Sequence, residues 1–462
     1  MDRYLAERSG SEMALRTDLK QKLISEIDVN KNYISVEIEL QDQPNIIHLL
    51  REEINFKGQR FYYKSKDYKL EMCGIGYLLE SRYSHLKHDE IYDCWQNIKE
   101  QLDAHKDHEE KHHLKFFGGF QFSEHALTNE WQDFGMSHFV LPKFMITIEN
   151  GRSYLTYTDH SNQFDIAQLY QMVEKIKPHV ASTINHKPEV VDNYDIQSEA
   201  WKDLVTKAVS LMNASVALQK VVLARRRKIE FNEHVNVEDA LQRSLDSHES
   251  SYLLLFESGK SQFISQTPEQ LCQIDNGKLF TNAIAGTIAR SDDESQNQVY
   301  KDELLNDAKN QFEHRYVVDS IIHDIKPFTK HLKYDERPTI LTNKHLYHLY
   351  TNIQADLLSE NVLDIVNQLH PTPALGGFPK VEAIKYIEHE EFGTRGFYGA
   401  PLGYMDLDNN GEFVVSIRSM LVKDKVATLY SGCGIVKDSN AISEFEETDL
   451  KFKPMLKALG VM

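Results

Sequence analysis

The sequence has few of the features that mark several common classes of protein. Only four of its 462 residues are cysteines. They are widely separated and form no C-x-x-C pair, so the chain predicts neither a zinc knuckle nor a disulfide framework. Scattered free thiols are typical of a protein in a reducing cytoplasm. No apolar run reaches the roughly 18 residues that would indicate a membrane-spanning helix. The cysteines are Cys73, Cys94, Cys272 and Cys433.

Positive charge and nucleotide-binding motifs are also scarce. Lysine and arginine total 52 against 70 acidic residues, which gives a net charge of −18. Non-specific nucleic-acid binding requires basic patches, so this balance argues against it. The acidic excess also repels an anionic substrate at long range, so any anion site must be built locally from a few cations or a metal. Neither G-x-G-x-x-G before a helix nor G-x-x-x-x-G-K-[ST] occurs, which excludes the usual nucleotide loops.

The organisation of the chain is predicted from its length and from shifts in composition. The first residues lack the apolar stretch of a signal peptide. We expect residues 1–16 to be a flexible leader, either native or vector-derived ahead of a natural start at Met13. Residues 17–197 are predicted to form an N-terminal α+β subdomain, and residues 198–462 to form the region that carries the candidate site. The polar stretch 186–197 is the expected link.

Strand-like runs outnumber helical ones and do not alternate with them. This pattern predicts an α+β fold in which large, mostly antiparallel β-sheets form a sandwich-like core with helices packed outside. Residues 90–106 and 303–325 are predicted helices. Residues 220–225 and 413–422 are predicted strands, the former followed by a basic tail.

The segment after Gly432 near the C terminus carries the most information. A helical pattern there places Glu444, Glu447 and Lys451 at three- and four-residue spacing, so they share one face. Two carboxylates and an ammonium on one stripe can hold a divalent cation beside an anion. The alternative is a solvated charged face.

Glu313 lies beside the apolar stripe of another predicted helix. Together with Glu447 it would give a hard-oxygen site suited to Mg²⁺, which takes one or two protein carboxylates and completes its shell with water and substrate. The alternative is an exposed helix glutamate.

Lys220 and Glu269 are candidates for acid–base chemistry. Lys220 opens a strand-like run. An inward-facing lysine loses hydration, so its pKa falls below the ordinary value of about 10.4 and it can act as a base. Glu269 follows a predicted strand, and a carboxyl in an apolar pocket has a raised pKa and can act as an acid. The alternative is that both side chains simply meet water.

Three further features allow more than one interpretation. Arg418 is predicted mid-strand in an apolar run, where it would pair with a core glutamate or with a substrate carboxylate. Gly286 follows a strand and can bring backbone N–H groups close to a ligand. A cluster of histidines lies among charged residues on a predicted polar helix, and we expect it to be solvated surface and not a metal site. These histidines are His105, His108, His112 and His113.

Taken in order, these segments resemble the chorismate-utilising enzymes, which include isochorismate synthase, salicylate synthase and the large subunits of anthranilate and aminodeoxychorismate synthases. The resemblance covers residues 199–457. The matching elements are Lys220 to Arg225, Thr267-Pro-Glu269, Ile284-Ala-Gly-Thr287, Glu313-His314, His348-Leu349, His370 to Pro379, Arg395 to Tyr398, Ile417-Arg418, Gly432 to Val436 and Glu444 to Lys451.

Within that family the chain looks most like the menaquinone-type isochorismate synthases. Alanine stands at Ala285, where aminodeoxychorismate synthases commonly carry a lysine nucleophile, and so leaves room for a small external nucleophile. Tyr316 departs from relatives that carry a further carboxylate near the metal. A salicylate synthase, an anthranilate-synthase-like subunit and a non-catalytic chorismate-binding protein remain the alternatives.

The resemblance implies a role for each candidate. Mg²⁺ would bind Glu313 and Glu447 directly and Glu444 through water, and would hold the ring carboxylate of chorismate. Lys220 would deprotonate a water that attacks C2, and Glu269 would protonate the departing C4 hydroxyl. It also implies a cytoplasmic enzyme that acts on chorismate without an amidotransferase subunit, a nucleic acid or a membrane. The substrate-binding residues that it implies are Gly286, Thr287, His348, Tyr398, Arg418, Gly432 and Lys451.

Overall fold

The computed structural model describes residues 27–28, 30–124, 128–176, 188–291, 293–342 and 346–462, so the predicted leader at residues 1–16 lies outside the described residues. The described helices are α1 (Ile46–Glu52), α2 (His88–Glu100), α3 (Ile166–Lys175), α4 (Ser198–Ala214), α5 (Val237–Asp246), α6 (Glu294–Asn306), α7 (Ala308–Ile325), α8 (Val362–Leu369), α9 (Lys380–Glu390) and α10 (Ala441–Leu459).

The described strands pair into one connected network. They are β1 (Tyr33–Leu40), β2 (Arg60–Lys64), β3 (Leu70–Tyr83), β4 (Leu102–Lys106), β5 (Lys115–Phe120), β6 (Ser137–Glu149), β7 (Arg152–His160), β8 (Val190–Ile196), β9 (Lys220–Phe231), β10 (Tyr252–Ser258), β11 (Ser261–Thr267), β12 (Gln270–Asp275), β13 (Lys278–Ala289), β14 (Thr329–Tyr334), β15 (Thr339–Thr342), β16 (Leu346–Leu357), β17 (Gly377–Phe378), β18 (Pro401–Asp406), β19 (Gly411–Val415), β20 (Ser419–Lys423) and β21 (Val426–Val436).

The long strand β6 joins two arms of this network. One arm runs through β3, β2, β10, β11, β20, β21 and β9. The other runs through β5, β18, β19, β12, β13 and β16. All of these pairings are antiparallel, and β1 with β4 is a parallel exception. The predicted α+β fold with large antiparallel sheets is therefore confirmed.

A cluster of buried aromatic rings fills the space between the two arms. Phe61 of β2 stacks on Phe117 of β5 with ring centroids 4.3 Å apart. Trp131 meets Phe397 edge-on at 5.8 Å, and both are fully buried. Aromatic side chains bury large areas and prefer such offset or edge contacts, so this cluster accounts for the sandwich-like core.

The chain crosses between the arms at two adjacent points. The first crossing connects β11 to β12 and contains Glu269. The second connects β19 to β20 and contains Arg418. Because β11 pairs with β20 and β12 pairs with β19, the two crossings lie side by side. The Val415 amide donates to the Glu269 carbonyl at 3.0 Å, and the Gln266 amide donates to the Arg418 carbonyl at 3.1 Å.

Several predicted element boundaries were wrong. The predicted helix over residues 303–325 is two helices, because the Asp307 side chain accepts a hydrogen bond from the Asn310 amide and caps a new helix. The predicted helix over residues 90–106 ends at Glu100, and β4 follows. The basic tail after Arg225 continues β9 to Phe231. The described part of the expected link forms β8, which pairs with β9.

The histidine cluster was also misplaced. His105 lies on β4 and His108 follows it, so the segment is not a polar helix. The His108 and His112 side chains are 3% and 8% exposed, and His113 is fully buried. The expectation of solvated surface is therefore wrong for the rings of these three.

A membrane-spanning helix would need length and an unbroken apolar surface together. In the described part of the chain no helix combines the two.

Candidate active site

Lys220 and Glu313 meet where the start of β9 approaches α7. The Lys220 ammonium lies 3.5 Å from Glu313 Oε1. A Cβ atom added to Gly434 would lie 3.0 Å from Lys220 Cε, so glycine at this position gives the lysine stem its path across β21. A carboxylate therefore faces this lysine.

Lys451 joins α10 to β21 on the same side of the site. Its ammonium donates to the Gly432 carbonyl at 2.9 Å and lies 2.8 Å from Glu447 Oε1. A Cβ atom at Gly432 would lie 2.6 Å from the Tyr398 hydroxyl oxygen. The absence of a side chain at Gly432 therefore lets Tyr398 reach the strand. Together these contacts place four of the predicted residues around one short segment of β21.

Glu269 lies at the first crossing between the arms, within range of three cations. Burial raises the pKa of its carboxyl to about 7, even though Lys220, Arg418 and Lys451 each act to lower it. Lys220, Arg418 and Lys451 therefore lie close enough to act on this carboxyl, and with a pKa of about 7 it is about half protonated at neutral pH.

The sequence predicted Arg418 in the middle of a strand, but the residue occupies the second crossing between β19 and β20. Its backbone φ is +47°, a left-handed conformation that few non-glycine residues adopt. Burial lowers the pKa of its guanidinium, while Glu249 and Glu269 oppose that shift. Strained backbone of this kind persists where the surroundings fix it, and it is common in binding sites. Here it places an arginine close enough to Glu269 to lower the pKa of that carboxyl.

Gly286 and its neighbours form the wall contributed by β13. The register of β13 against β16 shifts between Ala285 and Thr287, which marks a β-bulge, and Gly286 has φ +76° within it. The bulge brings the Thr287 hydroxyl to 2.9 Å from Nδ1 of His348. Burial, with Arg418 nearby, lowers the pKa of His348. This imidazole is therefore neutral at pH 7.

Three carboxylates are candidates to hold a metal. Glu313 and Glu447 each present one oxygen to an ammonium. The second oxygen of each has no hydrogen bond among the described residues, and the Glu444 carboxyl lies within hydrogen-bond reach of the Cys433 thiol. Hard carboxylate oxygens with open coordination positions match the preferences of Mg²⁺. Among the described residues, Glu313, Glu444 and Glu447 do not form a cluster of converging ligand atoms, but their chemistry fits the ion.

Sequence reasoning missed the residue that fixes α10 against β9. Arg225 is fully buried and donates to the Phe445 carbonyl at 2.9 Å, to Thr448 Oγ1 at 2.7 Å and to Asp449 Oδ1 at 2.7 Å. Its guanidinium carbon lies 3.4 Å from the centroid of the Phe445 ring. The sequence pattern could have indicated its burial, because Arg225 shares a strand face with the apolar Val221 and Leu223.

His314 is a second supporting residue whose role the sequence did not reveal. It bridges the Ala285 carbonyl at 3.2 Å and Thr351 Oγ1 at 2.8 Å. These contacts join α7, which carries Glu313, to the wall formed by β13 and β16.

The fold and this site define a class of enzyme. The sequence profile of the chorismate binding enzymes matches residues 19–460, and the chain belongs to that family. The predicted resemblance and the prediction of an enzyme are thereby confirmed.

Within this family, the chain is similar over most of its length to several isochorismate synthases. The chain is 32% identical to the isochorismate synthase MenF of Bacillus subtilis (strain 168) over 419 residues, which is 88% of each chain. It is 30% identical to the isochorismate synthase MenF of Escherichia coli (strain K12), over 72% of this chain and 78% of the relative. The solved structure of the menaquinone-specific isochorismate synthase MenF from Escherichia coli superimposes with a TM-score of 0.79 at 25% identity, covering 97% of this chain and all of the other.

Proposed function

We propose that this protein is an isochorismate synthase that isomerises chorismate to isochorismate in an Mg²⁺-dependent reaction. The observation that carries the proposal is the setting of Glu269, a buried carboxyl with a pKa of about 7 that lies within electrostatic range of Lys220, Arg418 and Lys451. The similarity to two isochorismate synthases over most of the chain supports the same reaction.

Two side chains of the cavity divide the proton transfers between them. Lys220 takes a proton from a water molecule, whose oxygen attacks C2 of the substrate. The ring double bonds shift, the C4–O bond breaks, and Glu269 donates its proton so that the hydroxyl leaves as water. One water is consumed and one is released, and the two side chains return to their starting states by exchange with solvent. A carboxyl with a pKa near 7 suits this role, because its proton is both present and transferable at neutral pH.

Fixed groups hold the substrate between these two residues. We assign the enolpyruvyl carboxylate to Arg418 and Lys451, with Tyr398 and the backbone at Gly432 beside it. Lys451 bonds the Gly432 carbonyl, Tyr398 adjoins Gly432, and Arg418 and Lys451 both act on Glu269. The neutral His348 and the bulge at Gly286 and Thr287 would shape the ring site. A few local cations thus offset a dianion inside a protein whose net charge is −18.

Magnesium would be held by Glu313 and Glu447, with Glu444 acting through water. When bound, it supplies positive charge opposite the ring carboxylate of the substrate. The metal requirement can be measured directly: excess EDTA should stop turnover and added Mg²⁺ should restore it. Full activity in excess EDTA would remove this part of the proposal.

The same proposal bears on the partner subunit and on the cellular compartment of the enzyme. We propose that the chain acts without an amidotransferase subunit, since a water molecule and not ammonia is the nucleophile. We also propose a cytoplasmic enzyme. Four cysteines that are all free thiols are consistent with a reducing compartment.

Product analysis distinguishes the proposed reaction from its relatives. Purified protein is incubated with chorismate and Mg²⁺, with and without ammonium, and the products are separated and identified. Isochorismate alone supports the proposal. Salicylate with pyruvate would make the protein a salicylate synthase, and an ammonium-dependent aminated product would make it an anthranilate-synthase-like enzyme. Tight chorismate binding without any product would contradict catalysis altogether.

The acid–base assignment predicts the behaviour of two variants. Lys220→Ala removes the base and Glu269→Gln removes the transferable proton, so each should lower kcat at least about a hundredfold. Circular dichroism and thermal melting should show an intact fold. Lys228→Ala is the matched control, because Lys228 lies on the same strand but away from the cavity. Wild-type kcat in either site variant would contradict the assignment.

A further inference from the structure

A second group of ligand-type side chains lies away from the active site, where three segments of the N-terminal half meet. Glu37 comes from β1, His108 from the loop after β4, and His113 from the segment that leads into β5. One ligand atom from each of the three lies within 4.8 Å of the others. Glu37 and His113 are fully buried, and the His108 side chain is 3% exposed.

One nitrogen atom of each histidine ring lies next to the same carboxylate oxygen of Glu37. His108 Nε2 lies 3.1 Å from Glu37 Oε1, and His113 Nδ1 lies 2.8 Å from it. Two imidazole nitrogens and a carboxylate oxygen form the donor set of many zinc sites. Imidazole ligands favour Zn²⁺, Co²⁺ or Ni²⁺ over Mg²⁺, so this group differs in chemistry from the carboxylates of the active site.

The surroundings of these three residues resemble the outer shell of a metal site. The second nitrogen of His113, Nε2, lies 3.2 Å from a carboxylate oxygen of Glu149. The His113 ring stacks on Tyr154 at a centroid distance of 3.9 Å, and the Thr156 hydroxyl donates to the second oxygen of Glu37. Carboxylate–histidine pairs and hydrogen-bonded ligand carboxylates of this kind orient the residues that bind metals.

Two buried nitrogen atoms of the cluster have no partner among the described residues. They are Nδ1 of His108 and Nε2 of His112, and both rings are more than nine-tenths buried. Leaving buried polar atoms unpaired costs free energy, and such atoms need an explanation in a native protein. Neither nitrogen is a candidate ligand atom, because the nitrogen nearer Glu37 is Nε2 in His108 and Nδ1 in His112, so the case for an ion is the convergence of one atom each from Glu37, His108 and His113.

We propose that Glu37, His108 and His113 bind one Zn²⁺-class metal ion, with water completing its coordination. The ion would tie β1 to the segment entering β5. Because β5 pairs with β18, this site would stabilise the arm of the sheet network that also carries Gly286. Its role would be structural, and the inference does not depend on the proposed isomerase reaction.

The test uses the full-length protein stripped of metal by chelator and then dialysed. Zn²⁺ is titrated against a chromogenic chelator in the presence of millimolar Mg²⁺, which occupies the carboxylate site. We expect one equivalent of Zn²⁺ to bind with a Kd below about 1 μM and to raise Tm. Co²⁺ should bind in its place and give the visible absorption bands of a nitrogen-ligated site.

Variants assign the bound ion to these residues. His108→Asn should weaken binding at least tenfold, and Glu149→Gln, which changes the outer shell only, should weaken it by about 10- to 100-fold. His105→Asn is the matched control, since its ring pairs with Asp103 and not with Glu37.

Two binding results and one spectroscopic result would each overturn the inference. One is that the only Zn²⁺ bound is the Zn²⁺ lost in Glu447→Gln, a variant that removes a carboxylate of the active site. The other is unchanged affinity in both His108→Asn and Glu149→Gln, which would make the cluster a hydrogen-bonded core element only. The Co²⁺ spectrum of the wild-type protein keeps the test decisive if a variant does not fold, because absent nitrogen-ligand bands would also overturn it.

Discussion

At the scale of single residues, the protonation state of Glu269 is the property on which the proposed chemistry depends. Burial raises its pKa to about 7 against the opposing effect of three cations. The protonated fraction should therefore fall from nearly complete at pH 5 to small at pH 9. The carbonyl stretch of a protonated carboxyl, taken from the infrared difference between wild-type protein and Glu269→Gln, measures this directly.

A second variant checks the physical cause of that value. Arg418 lowers the pKa of Glu269, so Arg418→Gln should move the midpoint of the titration upward. A wild-type midpoint below pH 5, or a downward shift in the variant, would show that burial does not dominate at this carboxyl.

The sequence pointed to these residues as candidates but did not reveal their surroundings. The resemblance pointed to Lys220, Glu269 and Arg418 by number, because each stands in a short recognisable motif. It could not give the left-handed backbone at Arg418 or the pairing of Lys220 with Glu313, because both depend on elements far apart in the chain. The burial of His113 was missed for the same reason, since its partner Glu37 is 76 residues away.

At the scale of secondary-structure elements, the bulge in β13 is the feature that a single substitution should disrupt most. Gly286→Ala places a Cβ atom 3.2 Å from both Asn310 Cβ and Leu349 Cδ1, in a backbone conformation that favours glycine. The left-handed conformation alone costs about 1–2 kcal/mol for an L-residue. The added contacts should shift Thr287 and His348, so kcat/KM should fall at least tenfold.

Gly277→Ala separates the two effects. Gly277 has φ +72°, but a Cβ atom there meets nothing within 4 Å. Both variants should therefore lose similar stability in urea unfolding, whereas kcat/KM should fall only in Gly286→Ala. Equal kinetic effects in the two variants would show that the bulge does not shape the site.

The position of α10 depends on Arg225, which leads to a prediction about the metal. Arg225→Lys keeps the charge but loses the planar fork that reaches Phe445, Thr448 and Asp449 together. Glu444 and Glu447 lie on the turns of α10 that this fork fixes. The Mg²⁺ concentration for half-maximal activity should rise roughly tenfold, as is typical when the residues that orient metal ligands are changed.

Arg227→Lys is the control for this experiment. Arg227 also bonds Asp449 and Asp195, but it does not contact Thr448 or the Phe445 carbonyl. Its substitution should leave the Mg²⁺ requirement close to that of the wild type. An equal change in both variants would reduce Arg225 to one member of a general ion-pair network.

Element types were easier to predict than element ends. Apolar periodicity is spread over many residues, so a strand at the start of β9 and a helix at α10 were expected correctly, whereas the single strand predicted over residues 413–422 is two strands, β19 and β20, with Arg418 between them. The break between α6 and α7 rests on a single capping residue, Asp307, and the extension of β9 rests on pairing with β8 and β21. Neither a cap of this kind nor a tertiary pairing alters the local hydrophobic pattern from which the prediction was made.

At the scale of the whole molecule, the fold class followed from the excess of strands over helices, but the way the two halves join did not. Strand pairs such as β2 with β10 and β5 with β18 link residues nearly 200 or more positions apart. No periodicity in a single sequence specifies such partners. The boundary at residue 197 remains a prediction, and we propose that it separates two lengths of chain and not two units that fold alone.

That proposal predicts that residues 198–462 will not form a stable protein by themselves. Without the N-terminal half, β10 and β18 each lose the neighbour that satisfies one edge, and the aromatic cluster loses Phe61, Phe117 and Trp131. Unpaired edges and exposed aromatic surface favour aggregation. The fragment should be insoluble or melt without a cooperative transition, whereas the full chain should give one transition by calorimetry. A soluble fragment that melts cooperatively and turns over chorismate would show instead that the catalytic region is an independent domain.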